Sequence, residues 1–431
     1  MVQYGGDEVS ALVVDIGTST VRAGYAGDDT PKAVIPTSHG FIQPPPDADI
    51  SMADDGETPA KPETKMFIGQ HGPSIWRADM HIANPIQHGI ISDFDAIPPL
   101  ISHALRDVMR CQPEEHPVLM TEPAWNTPEN RERLAEIMFE EFQVPAFYIA
   151  NTSVLNAFAA GKGSALVIDI GQSTASVTPV VDGFVLRKGL VHSALPQLVQ
   201  AQARHILTTP THNRPGIQLL SHHLIASRTP GDPGRAPIFT LREDRVAKTT
   251  SSLMAYYEAH EVEEWIQSVA GVLDQGWNDQ QAAARPPKQY EFATGFSTYF
   301  GPERFQVGEL FFTHSRDLAA SNPHLPRTLP ALITQALSAC DPDMRGVLLN
   351  NIVLSGGGSL FAGLGERLNN ELSRHLQQQV KIHAPGNPTE RRFGGWLGGS
   401  ILASLGTFHQ LWISREEWQE HGKAIVAQRC K

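Results

Sequence analysis

The stretch LVVDIGTST at residues 12–20 is written again as LVIDIGQST at 166–174, with seven of nine positions identical. A repeat this close, 154 residues on, implies one structural unit used twice. The 431-residue chain has room for two substantial cores. Each copy opens on a β-branched apolar run, ALVV or ALVI, the pattern of a strand buried on both faces. Asp-x-Gly follows, then hydroxyl residues. Glycine permits a tight turn and lets backbone N–H groups come close to an anion. The next residues, VRAGYAG and ASVTPVVDG, resume strand character, so each copy predicts a β-hairpin rather than a strand feeding a helix. Asp-Gly turns also occur with no ligand; the duplication is what turns the reading toward phosphate.

Two such hairpins from two similar domains would grip a polyphosphate from opposite sides. Gly17 and Gly171 make the turns, and Thr18, Ser19, Thr20, Gln172, Ser173 and Thr174 supply donors. Asp15 and Asp169 would face each other across the phosphates and hold Mg²⁺ through water, since Mg²⁺ favours few carboxylates plus phosphate oxygens. A third cluster, NNIVLSGGGSLFAGLGERLNNEL at 350–372, reads as a strand, then Gly356, Gly357 and Gly358, then a helix capped by Ser359. Phe361, Leu364, Leu368 and Leu372 recur at helical spacing and would face the core. The bare glycine backbone and helix start suit a nucleotide, although a flexible loop has the same composition.

Charge and cysteine usage narrow the class. A formal charge of −12 argues against nucleic-acid binding by this chain alone, because neutralising phosphates requires a basic face. Three cysteines, Cys111, Cys340 and Cys430, make no disulfide framework and fit a reducing compartment. The acidic start MVQYGGDEVSA lacks the basic residues and apolar run of a secretory leader. No apolar run approaches the roughly 18 residues of a membrane span.

Three phosphate or nucleoside elements in this order resemble the actin family. DIGTSTVRAGYAGDDTPKAVIPT, NPIQHGIISDFDAI, PEEHPVLMTEPAWNTPENRERLAEIMFEEF, YEFATGFSTYFGPERF and WLGGSILASLGTFHQLWISREEWQEHG are similar to actin stretches and come in the same order. The resemblance implies an α/β, actin-like ATPase fold of two duplicated domains with ATP and Mg²⁺ between them. The first domain would be residues 1–160 plus 394–431, with an outer subdomain at about 37–83; the second would be 161–393, with one at about 196–300. Carried over position by position, Arg22 stands for a lysine that reaches the phosphates and would grip them with two prongs. Phe361 replaces the tyrosine that packs on adenine, and Arg392 falls where another lysine contacts the nucleotide. At the two positions that orient the attacking water stand Thr152 and Ser176, which lack the reach of the residues they replace, so hydrolysis is expected to be slow or absent.

The resemblance also marks the surfaces that have changed. Residues 43–65 replace a neighbour-binding loop with five prolines and six acids against two lysines, a composition that stays solvated, so self-filaments are not expected. SRTPGDPGRAP at 227–237 reads as a second exposed insertion. The stretch at 400–418 is similar to the lining of actin's apolar groove. There Ile401 and Leu411 supply surface and Trp412 an anchor, while Leu402 and Leu405 read more readily as internal packing. Ser414 and Glu417 form the pattern of a capping box.

The N-terminal YGGDEVSALVVDIGTSTVRAGYAG is similar to a nuclear class of actin-related proteins shared by chromatin remodellers and a histone acetyltransferase complex. That likeness implies a nuclear assembly subunit paired with actin on the remodeller's helicase/SANT-associated helix, with histones a further partner. It further implies roles in remodelling and transcription regulation, with no membrane or sequence-specific nucleic-acid contact. No basic import cluster is visible. Two other readings stand beside it: a filament-forming ATPase, and a kinase of the same two-domain fold. For the kinase, Asp15 and Asp169 are the sole candidate catalytic aspartates.

Overall fold

A computed structural model describes residues 10–43, 64–212, 214–376 and 380–431, apart from the side chains at 317 and 321. Most of the Pro-rich acidic tract at 43–65, and residues 4–9 at the start of the stretch that carries the nuclear resemblance, lie outside the described residues.

Both copies of the repeat are hairpins. Leu12–Ile16 pairs antiparallel with Thr20–Tyr25, and Ala165–Ile170 pairs antiparallel with Ala175–Val181. The first strand of each hairpin also pairs in parallel with a distant strand, Val118–Glu122 in one case and Ile352–Ser355 in the other. Around these pairs grow two sheets. One continues through Ala33–Pro36 on one side and Ala146–Asn151 and Ile413–Ser414 on the other. The second adds Phe184–Val185, Val191–Ser193 and Ile382–His383. Helices and loops cover both faces of these central strands, so Leu12–Val14 and Leu166–Ile168 are wholly buried. Each sheet carries its own apolar core.

Two helices cross between the sheets. Thr152–Ala159, capped by the Asn151 side chain on the Ser153 amide, leads from the first sheet to the second. Gly394–Ser404 leads back, and its glycines Gly394, Gly395, Gly398 and Gly399 let it lie directly on the first helix and on Val13. Trp396 is fully buried there and donates its indole N–H to the Val13 carbonyl at 3.0 Å.

Two expectations need correction, and a third gains detail. Ser359 caps no α-helix: Gly357–Leu360 is a 3-10 turn, and the helix begins at Leu364. The reason is Gly363, which sits at φ +83 with its absent Cβ only 2.5 Å from the Val272 carbonyl, so the chain turns once more before the helix starts. The Ser359 hydroxyl instead donates to the Gly356 carbonyl at 2.7 Å. Leu364, Leu368 and Leu372 do face the core. The stretch 227–237 is exposed as expected, and it forms the end of one strand and the loop of a β-hairpin, Ile225–Thr229 with Ile238–Leu241. Finally, Trp412 is no surface anchor. It is 7% exposed, edge-on to Phe408 with ring centroids 4.9 Å apart, in the first core. Ile401 and Leu411 are exposed as expected, at 39% and 40%, and Leu405 joins them at 44%. The Ser414–Glu417 capping box is present.

Candidate functional site: the cleft between the two hairpins

The hairpin turns close alike: the Gly17 amide donates to the Thr20 carbonyl at 3.0 Å, and the Gly171 amide to that of Thr174 at 2.9 Å. They also meet, with the hydroxyls of Thr18 and Ser173 2.9 Å apart. Behind them lies a cavity of about 520 Å³, within the range of small-molecule sites. Its walls include Asp15, Gly17, Thr18, Ser19, Thr20 and Arg22 from the first hairpin and Asp169, Gly171, Gln172 and Ser173 from the second. Gly356, Gly357, Gly358, Phe361 and Arg392 complete them. One cavity therefore collects every residue that the sequence pattern marked for nucleotide or metal. Thr152 and Ser176 line it too.

Asp15 is held from two directions. Arg22 lies opposite it in the hairpin register and donates to one carboxylate oxygen at 2.5 Å; the Thr121 hydroxyl donates to the other at 2.5 Å. Arg22 also rests over the Phe393 ring, 5.1 Å from its centroid. With Nη1 committed to Asp15, Arg22 keeps the Nε and Nη2 donors of its other edge, the pair that a two-pronged grip requires. Its Nε is buried with no protein partner.

Asp169 is placed differently. Asn156 reaches its carboxylate at 3.4 Å, and Asn156 is itself fixed by the Ser355 hydroxyl at 2.9 Å. Burial pushes the Asp169 carboxyl up to about 6, and the neighbouring negative Asp15 adds to the rise. Gly356 at φ +86 makes this packing possible, since a Cβ there would fall 2.3 Å from the Asp169 carboxylate oxygen. Two facing carboxylates, one disfavoured in its charged form, are a donor set that a hard divalent cation relieves, so Asp15 and Asp169 fit Mg²⁺ on the chemistry of their oxygens.

Phe361 lies half-buried on the cavity wall, edge-on to Phe311 at 5.5 Å. Arg392 lies near the triple glycine, its Cγ 3.9 Å from where a Gly357 Cβ would stand. Thr121, Asn156, Glu263 and Phe393 went unmarked in the sequence. Only Asn156 carries a signal, standing ten residues before the second copy amid the apolar residues Val154, Leu155, Ala157 and Phe158.

A single family description, Actin, matches residues 6–431. The chain belongs to the actin family. Its curated relatives include proteins named Actin-related protein 4. That of Mycosarcoma maydis is 36% identical, covering 99% of this chain and 99% of its own length. That of Yarrowia lipolytica is 37% identical over 99% and 97%, and that of Arabidopsis thaliana 35% identical over 99% and 100%. The α/β architecture with its duplicated hairpins is thus that of an actin-like protein.

Thr152 and Ser176, the residues expected at the water-orienting positions, both line this cavity. The Thr152 hydroxyl is already donated to the Glu122 carbonyl at 2.9 Å. Ser176 is 3% exposed within the second hairpin.

Proposed function

We propose that the chain holds Mg–ATP in this cleft as a structural ligand and works in the nucleus as an assembly subunit of chromatin-remodelling and histone acetyltransferase complexes. There it pairs with actin on the remodeller's helicase/SANT-associated helix. The observation that carries the reading is the contrast within the cleft. The phosphate-facing turns and both carboxylates are in place, while the Thr152 hydroxyl is committed to Glu122. Full-length likeness to relatives named Actin-related protein 4 supports the choice of class.

The residues divide the work. Backbone amides and hydroxyls of the two turns accept the phosphates, and Asp15 and Asp169 hold the cation. Bound Mg²⁺ would supply charge neutralisation between the two domains. Phe361 offers a ring face to the base, and Arg22 one guanidinium edge. Thr152 and Ser176 lack the reach to aim a water, so the ligand acts as a clamp that fixes the angle between domains.

Purified protein is expected to retain ATP with turnover well below that of actin, and to remain soluble where actin polymerises. With actin, it should associate with a peptide of the remodeller's actin-binding helix, engaging it through the exposed Ile401, Leu405 and Leu411. Ile401→Asp should weaken that association by about tenfold or more with an unchanged melting temperature, because the position is surface. Pelletable filaments, actin-like turnover, or no association with the helix would each count against the proposal.

The same site sets a pH dependence. Cation binding needs Asp169 ionised, and its folded-state carboxyl is raised to about 6. Affinity for Mg–ATP should therefore climb as pH rises through 6, level off above 7, and be about tenfold weaker at pH 5. Calorimetric titration of wild type beside Asp169→Asn separates this from titration of the nucleotide itself, because the variant should keep only the latter.

A further inference from the structure

Phe361 owes its place on the cavity wall to chain segments that meet around it. Gly308 packs so closely that a Cβ there would stand 2.7 Å from the Phe361 ring and 2.4 Å from the Gly271 carbonyl oxygen. Phe311 meets the same ring edge-on. The Val272 amide donates to the Ala362 carbonyl at 2.9 Å, which fastens that segment to the residue after the ring. Residues 271–272, 308–311 and 361–363 thus form one seat.

One side chain ties all of these segments together. Arg367, 1% exposed, lies on helix Leu364–Leu376, the next element after the ring. Its Nη1 and Nη2 each donate to a different carboxylate oxygen of Glu309 at 2.8 Å, directly beside Gly308. Nη1 also reaches the carbonyls of Gln275 at 2.7 Å and Leu273 at 3.3 Å, just past Val272. Nε donates to Glu371 on its own helix at 2.8 Å. The guanidinium rests over the Phe312 ring, 4.6 Å from its centroid, next to Phe311. The triple glycine before the ring is anchored separately: the Gly356 amide donates to the Arg391 carbonyl at 2.9 Å, and the Arg391 guanidinium donates to the Ser359 carbonyl.

A buried cluster of this kind is a poor source of stability, because apolar packing of the same volume avoids the cost of desolvating its charges. What a planar fork does supply is direction. Two bonds to one carboxylate fix angle as well as distance, which a lysine ammonium cannot do. A recognition side chain works only when its neighbours hold it within about 0.5 Å of its productive place.

We infer that Arg367 is a positioning residue for the base end of the cleft: by bolting together the segments that seat Phe361, it sets where that ring stands to meet a nucleotide's base. It acts only through the ring, since Arg367 does not line the cavity and its bonds reach neither hairpin turn. The inference rests on the cleft holding a nucleotide, as proposed above, and adds what governs affinity for the base as distinct from the phosphates.

The test compares a ligand that has a base with one that has none: Mg–ATP and Mg–tripolyphosphate, titrated by calorimetry into the nucleotide-stripped full chain. Stacking on an aromatic ring is worth roughly fivefold to a hundredfold in affinity, and Phe361→Ala should remove that advantage of ATP and so measure it. Arg367→Lys keeps a charge for the two carboxylates but loses the fork. ATP should then bind about tenfold more weakly, while tripolyphosphate stays within about twofold of wild type. Phe312→Leu takes away the ring beneath the guanidinium and touches no ion pair. It should shift the ratio of the two affinities in the same direction by a smaller factor, and it decides the matter if the lysine variant does not fold. The double variant is the sharpest measurement. In the Phe361→Ala background, Arg367→Lys should weaken ATP by no more than about twofold, because the ring through which it acts is gone. A purely structural role would weaken both ligands alike and add in full to Phe361→Ala. Either of those results, or an unchanged ATP affinity in both single variants, would overturn the inference while leaving the cleft assignment intact. ATP binding no tighter than tripolyphosphate in the wild type would mean that Phe361 seats no base, and would overturn it too. A chain that binds neither ligand would overturn the cleft assignment itself, and the role of Arg367 with it.

Discussion

Asp169→Asn is expected to move stability in opposite directions with and without Mg–ATP. In the ligand-free protein at neutral pH, Asp169 is ionised although burial and Asp15 push its carboxyl up to about 6 from 3.8. A carboxyl whose pKa is raised in the folded state stabilises the fold only while it is protonated. That contribution is present below the unfolded value, fades as pH rises between about 4 and 6, and is gone at neutral pH. A neutral isostere removes the penalty, a gain capped at about 3 kcal/mol at 1.36 kcal/mol per pH unit. The asparagine can still accept from Asn156, so the local packing is kept. With saturating Mg–ATP the order reverses. A ligand at about a thousand times its dissociation constant stabilises the native state by about 4 kcal/mol, and most of this is lost with one of the two cation-facing carboxylates. Melting after nucleotide stripping should rank the variant above wild type, and melting in Mg–ATP should rank it below. The same ranking in both conditions would show that Asp169 does not face the cation.

How far the sequence announces this site depends on the kind of residue. The two hairpins are legible because everything that shapes them is local: the β-branched strand, the Asp-x-Gly turn and the return strand lie within residues 12–25 and 165–181, and the duplication says they act together. The triple glycine is legible for the same reason, since the positive φ of Gly356 is a property only glycine supplies cheaply. The true helix start is not, because what stops the helix before Leu364 is the carbonyl of Val272 pressing on Gly363, some ninety residues away in sequence. Trp412 misleads in the opposite sense. A tryptophan beside Ile413 and a charged helix reads as a surface anchor, whereas Phe408 covers it and Tyr148 covers Phe408 in turn. The small apolar core of Met80 and Leu253 leaves no trace at all in the sequence pattern, because the two residues meet across 173 positions with no shared period.

Gly398→Ala is expected to be among the most damaging single changes in the chain. Helix Gly394–Ser404 lies against helix Thr152–Ala159, and a Cβ on Gly398 would stand 1.9 Å from the Leu155 carbonyl oxygen and 2.4 Å from its carbon. Both atoms are backbone, so no side-chain rotation relieves the overlap, and the two helices must part by more than an ångström. Alanine's better helix propensity returns only about 1 kcal/mol. Overpacking a rigid contact costs about 1–3 kcal/mol at ordinary core sites, and more where backbone meets backbone. A net loss of about 3–5 kcal/mol follows, the size reserved for a few named mechanisms. The damage should also reach the cleft, because the displaced helix carries Thr152 and Asn156, and Asn156 holds Asp169. Gly346→Ala is the control. It too sits inside a helix, Pro342–Leu349, but a Cβ there meets nothing within 4 Å. It should leave the melting temperature unchanged or raise it by the equivalent of up to about 1 kcal/mol. Urea melts of both variants, each with and without Mg–ATP, decide the matter. Equal stabilities would show that the two crossing helices yield easily, and the angle between the sheets would then not be fixed by their glycine contact.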